Sequence, residues 1–172
     1  MNIIETNIPD LKVIEPKLYG DHRGWFVETW QAQKYDFCPS FVQDNMSYST
    51  KGILRGLHIQ TPAQGKLVQV IEGKVFDVVV DLRKGSSFGQ WFGLELSGDN
   101  KRQLCIPEGF AHGFYTMSQY AIFAYKCTQY YNPKGEKTLA WDDSTVGIVW
   151  PLDGNPIVSE KDAKGWSLSD FR

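Results

Sequence analysis

Apolar and polar positions alternate along this chain in short runs separated by turn residues. The runs are Leu11–Ile14, Trp25–Trp30, Ile53–Ile59, Leu67–Ile71, Val75–Leu82, Trp91–Leu96, Phe110–Tyr115 and Ala121–Tyr125. Many are rich in Val, Ile, Phe, Tyr or Trp, whose branched or flat side chains suit a pleated, half-buried surface. In Val75–Leu82 the polar residues fall at Asp77 and Asp81, as in a strand with one mostly apolar face. Gly73-Lys74 predicts a hairpin, and Gly85-Ser86-Ser87 and Ser97–Asn100 predict turns. No long amphipathic helix is evident. Short helical turns are expected near Gln31–Tyr35 and after Ser159. Closely spaced strands without intervening helices predict an all-β sandwich or barrel. Pro107, Gly109 and Gly113 bracket a segment that reads as a tight loop at the mouth of such a barrel.

Composition narrows the class. The 172 residues suggest one domain spanning 1–172, with enough apolar content (42%) for a single core. A net charge of −2 offers no broad basic surface for nucleic acid. No apolar run is long enough for a membrane helix. The first ten residues lack the basic-then-apolar pattern of a signal peptide. Cys38, Cys105 and Cys127 are odd in number and widely spaced, so neither a disulfide framework nor a zinc site is expected, and a reducing cytoplasm is the simplest setting. The three histidines, His22, His58 and His112, form no His-x-His pair, so no catalytic metal is expected.

Four groups of residues could carry chemistry. In Arg55-Gly56-Leu57-His58, strict strand alternation sends Arg55 and His58 to opposite faces unless Gly56 marks a bulge. His58 reads either as a hydrogen-bonded core histidine or as a general base. Asp21–Glu28 reads either as a charged turn, with His22 in solvent, or as a presentation of Arg23 to a phosphate. Tyr125, followed by Tyr130 and Tyr131, reads as packing, or as an acid and a ring that stacks on a nucleobase; the adjacent tyrosines place one ring on each face of a strand. Ser159–Asp162, read alone, is a solvated charge run.

Together these stretches resemble one family, the dTDP-4-dehydrorhamnose 3,5-epimerases of the cupin superfamily. The matching segments, in order, are DHRGWFVE (21–28), FVQDNMS (41–47), LRGLHIQ (54–60), QGKLV (64–68), GKVFDVVVDLRK (73–84), NKRQLCIPEGFAHGF (100–114), AYK (124–126), YYNP (130–133) and SEKDA (159–163). The resemblance implies a cupin-type jelly-roll β-barrel, a homodimer and no cofactor or metal. The implied substrate is dTDP-4-dehydro-6-deoxy-glucose. Part of each site would come from the partner subunit through an exchanged N-terminal strand. By motif, His58 matches the proton acceptor, Asp162 its carboxylate partner, Tyr125 the proton donor and Lys66 the lysine near the sugar ketone. Arg23, Glu28, Gln43, Asn45, Arg55, His112, Glu136 and Lys161 match substrate contacts, and Tyr131 matches the tyrosine stacked on thymine. Met46, the short Trp30–Phe41 segment and the short tail after Asp162 depart from the pattern.

The implied chemistry is self-consistent. A ketone at C4 acidifies the C3 and C5 hydrogens, and removing either leaves an enolate. A base takes the proton, a cation such as Lys66, with His112 beside it, meets the oxyanion, and an acid on the other face returns a proton. The rival readings are a single-centre epimerase, a ketoisomerase, a non-catalytic nucleotide-sugar binder and a metal-dependent oxygenase.

Overall fold

The computed structural model describes residues 1–172 and is nearly all β. All eight apolar runs contain strands. Two antiparallel sheets face each other. The six-stranded sheet runs in the order β1 (Asn2–Glu5), β2 (Lys12–Glu15), β10 (Gln103–Ile106), β7 (Lys66–Glu72), β12 (Tyr120–Cys127) and β5 (Gln43–Thr50). The five-stranded sheet runs β13 (Lys137–Thr138), β6 (Leu54–Ile59), β11 (Phe110–Thr116), β8 (Lys74–Asp81) and β9 (Trp91–Ser97). This is the jelly-roll barrel of the cupins. A hairpin, β3 (Leu18–Asp21) with β4 (Gly24–Val27), forms a two-stranded sheet of its own and is exposed along nearly all its length.

Pleating sorts each strand. Val68, Val70, Val75, Val79, Phe110, Phe114 and Phe123 point between the sheets and form the main core. The outer face of the five-stranded sheet, with Leu57, Val78 and Val80, is covered by the C-terminal segment through Leu139, Val146 and Leu168. The outer face of the six-stranded sheet, with Ile14, Leu67 and Cys105, is covered by the 30–41 loop through Tyr35 and Cys38.

Several expectations need correction. Gly73-Lys74 is not a hairpin: β7 and β8 belong to different sheets, and Gly73 is the corner between them. Its φ is +82°, and a Cβ there would run into the Tyr120 carbonyl. Residues 110–114 are not loop; only 107–109 turn, and His112 lies on β11. Tyr130 and Tyr131 lie on irregular chain after β12, not on a strand. Cys38 and Cys105 are paired as a disulfide, with Cα atoms 6.5 Å apart across a separation of 67 residues. The pair forms because the covering loop lies on β10, a contact invisible to linear spacing. The cysteine count therefore no longer bears on the compartment. The short helical turns occur as expected: the Tyr35 amide bonds the Gln31 carbonyl at 3.1 Å, and 3-10 turns span Asp162–Lys164 and Leu168–Phe171.

Candidate active site

One end of the barrel opens into a cavity of about 350 Å³ between the sheets. The five-stranded sheet supplies Arg55, His58 and His112; the six-stranded sheet supplies Gln43, Asn45, Lys66 and Tyr125. Tyr131 and Glu136 line the rim, and Phe110, Phe114 and Phe123 form the apolar wall.

Arg55 and His58 share this cavity because β6 carries a bulge. His112 is registered with His58, but Phe114 with Arg55, so β6 holds one extra residue across from two steps of β11. Gly56 takes up the irregularity at φ +121°, and a Cβ there would lie 2.6 Å from the Gly113 Cα. Arg55 is aimed by β5: its Nε donates to Ser49 Oγ at 2.8 Å and its Nη2 to the Tyr48 carbonyl at 3.1 Å.

His58 Nε2 lies 2.6 Å from Asp162 Oδ1. Asp162 Oδ2 accepts the Gly56 amide at 3.2 Å, and the Asp162 amide is held by Ser159 Oγ. Asp162 is only 3% exposed, unlike the rest of its run, where Ser159, Glu160 and Lys161 are exposed as expected. Burial pushes its carboxyl up, but the His58 hydrogen bond and charge, the Gly56 amide and Lys161 outweigh it, and the group rests below the ordinary 3.8. The carboxylate can orient the imidazole and balance the charge it gains with a proton.

Tyr125 stands across the cavity, on the other sheet. Burial raises its phenol above the ordinary 10.0, so it holds its proton at neutral pH. Lys66 Nζ lies 5.8 Å from the Tyr125 ring centre. Burial lowers the Lys66 ammonium, against the charges of Cys127, Asp77 and Glu136. At the rim, Glu136 Oε2 accepts Tyr131 Oη at 3.0 Å and Lys161 Nζ at 2.9 Å. Burial raises Glu136, but Lys161 and Tyr131 outweigh it and lower its carboxyl. Gln43 ties the Tyr131 backbone to β5, accepting its amide at 2.9 Å.

Two expected residues stand apart. Arg23 is exposed and paired with Asp21 on the β3–β4 hairpin, and Glu28 pairs with Lys34 at 2.6 Å; neither lines this chain's own cavity. His22 lies in solvent. No group of three His, Cys, Asp or Glu side chains is placed to hold a metal.

The sequence reading missed two groups. Cys127 lines the cavity, with its thiol pushed up by burial and accepting from Asn45 Nδ2 at 3.7 Å. Asp77, fully buried on β8, holds His112 Nε2 at 2.8 Å, and its Oδ2 meets no partner. An unmet buried polar atom costs about 1–3 kcal/mol. The one signal for Asp77 was a polar residue on an apolar strand.

A jelly-roll barrel that gathers an imidazole, a phenol and an amine around one cavity has the groups that proton transfer in a cupin enzyme needs. The family described as dTDP-4-dehydrorhamnose 3,5-epimerase matches residues 5–170, and this chain belongs to it. The dTDP-4-dehydrorhamnose 3,5-epimerase of Salmonella typhimurium is 53% identical over 95% of this chain and 93% of its own length. The dTDP-6-deoxy-D-glucose-3,5-epimerase of Legionella pneumophila, solved in complex with dTDP-4-keto-L-rhamnose, superposes with a TM-score of 0.95 at 55% identity, covering 98% of this chain and 93% of that one. A double mutant of a 3'-monoepimerase from Streptomyces bikiniensis, in complex with dTDP, gives 0.90 at 28% identity, over 96% and 87%.

Proposed function

We propose that this chain is an isomerase that epimerises C3 and C5 of dTDP-4-dehydro-6-deoxy-glucose, giving dTDP-4-dehydro-rhamnose for polysaccharide synthesis. The observation that carries the reading is that His58 on β6 and Tyr125 on β12 stand on opposite sheets across one cavity. His58 takes the proton from C3 or C5, and Asp162 holds the ring and balances the imidazolium. Charge moves to O4, where Lys66 meets it. Tyr125 returns a proton to the other face, which inverts the centre. Once His58 has released its proton to water and Tyr125 has regained one, a turn of the sugar brings the second centre to the same pair.

Arg55 suits the diphosphate, because its guanidinium is already aimed and presents paired donors. Gln43, Asn45, Glu136, Lys161 and His112 contact the substrate, and Tyr131 stacks on the thymine. Arg23 and Glu28 serve the partner's cavity in a homodimer. The exposed Tyr19, Trp25 and Phe26 of the hairpin support that reading, since such a surface calls for a cover. The enzyme works in the cytoplasm, where nucleotide sugars are made, without a cofactor and without nucleic-acid or membrane partners.

The single-centre alternative draws on the Streptomyces bikiniensis relative. Incubation with dTDP-4-dehydro-6-deoxy-glucose in D₂O, followed by NMR, separates the readings. Deuterium at both C3 and C5 in a rhamnose-configured product is expected. Deuterium at one carbon makes it a single-centre epimerase, and none, with nucleotide bound, makes it a binding protein.

A further inference from the structure

β8 brings to the inner wall a carboxylate, Asp77, to which the sequence motifs gave no role. Asp77 shares its strand face with Val75 and Val79, which belong to the core between the sheets. It is 0% exposed, with Oδ1 against His112 Nε2 and Oδ2 unmet. The Asp77 contact is the sole hydrogen bond of the His112 ring, which stacks on Phe123 at 6.0 Å and 27°. His112 and His58 are register partners on neighbouring strands, and both side chains line the same cavity.

We infer that Asp77 is a positioning residue for the reaction: it fixes His112 as a neutral ring protonated at Nε2. His112 then meets the sugar as a hydrogen-bond acceptor through Nδ1, and the Lys66 ammonium is left as the cation for the enolate oxygen.

The chemistry follows from counting protons. With its one proton on Nε2, directed at Asp77, the ring carries a lone pair at Nδ1. A lone pair repels an enolate oxygen but accepts from a sugar hydroxyl, which the substrate offers beside its ketone. A second proton on His112 would set a third cation beside Lys66 and beside His58 once it has taken the substrate proton. The groups facing His112 are Asp77 from β8, Lys66 from β7, His58 from β6, Tyr125 and Cys127 from β12, and Glu136 from the rim. Burial pulls the ring below the ordinary histidine range; Asp77 opposes this, and Lys66 and His58 reinforce it. Asp77 also favours the charged form of Lys66, against burial. One carboxylate thus holds one imidazole in place and keeps one ammonium charged.

The inference borrows its substrate from the epimerase reading, but its test is made first on the free protein, so the two fail separately. With three histidines in the chain, ¹⁵N-histidine spectra are simple. Recorded from about pH 5 to about pH 8, where an ordinary histidine titrates, they are expected to show one ring that stays neutral with its proton on Nε2. That ring's signals should be missing from His112→Gln. In Asp77→Asn we expect kcat to fall about tenfold or more with KM little changed, and the alkaline limb of the kcat profile to move to lower pH as Lys66 loses its counter-charge. An imidazolium at His112 over that range, or a proton on Nδ1, overturns the inference. So does an Asp77→Asn enzyme that melts earlier yet keeps its kcat and pH profile. Should that variant not fold, the spectrum of the unaltered protein decides alone.

Discussion

Asp162 with His58 and Asp77 with His112 are the same pair of side chains in two settings. The histidines are register partners on β6 and β11, and each presents Nε2 to a carboxylate, at 2.6 and 2.8 Å. Asp162 arrives from the C-terminal segment, and both its oxygens are met. Its carboxyl lies below the ordinary range, and the His58 side chain is 26% exposed to the cavity. Asp77 sits inside the barrel with one oxygen unmet, its carboxyl pushed up by burial, and the His112 side chain is 7% exposed. The difference teaches that the pair alone does not define a base. A reachable ring beside a satisfied carboxylate can take up a substrate proton, whereas a buried ring before an under-satisfied one is held in a single tautomer.

The largest expected effect comes from removing the reachable ring. His58→Asn should lower kcat by about 10³-fold or more and abolish C3 and C5 exchange in D₂O, with little change in melting temperature. Comparable exchange in His58→Asn would show that the roles of the two pairs had been assigned the wrong way round. The smallest effect sharpens the comparison through stability, because the two carboxylates are linked to pH with opposite signs. Asp162 is depressed, so its contribution is complete above the ordinary 3.8 and is lost as pH falls below that toward its folded value. Asp77 is raised, so its contribution is complete below 3.8 and is lost as pH rises through its folded value. In urea unfolding, the stability lead of the unaltered protein over Asp162→Asn should shrink on acidification below 3.8. Relative to Asp77→Asn, it should decline on going from pH 3.8 upward. Parallel trends would mean that the two environments are alike.

Much of this was legible in the sequence, and the failures have physical causes. Strands such as Val75–Leu82 announced themselves because one face is buried and apolar. β5 did not, because its inward face carries the polar residues Gln43, Asn45, Ser47 and Ser49 while Met46 and Tyr48 point out, exposed. A strand that lines a polar cavity inverts the usual pattern. β10 is buried along its whole length, which hides its alternation. The site residues carried over by resemblance line the cavity or pair with residues that do, apart from Arg23 and Glu28 on and beside the β3–β4 hairpin. The Arg55–His58 conflict could be posed from alternation but resolved only by the bulge against β11. Asp77 and the Cys38–Cys105 pair depend on contacts between strands and loops distant in the chain, which no local pattern encodes.

The central claim is that base and acid act from opposite sheets. Tyr125→Phe, incubated with dTDP-4-dehydro-6-deoxy-glucose in D₂O, tests it most directly. Because His58 is untouched, the account predicts deuterium entering at C3 or C5 while rhamnose-configured product falls by about 10²-fold or more. Rhamnose-configured product at the normal rate would contradict the account and assign the second proton to another group.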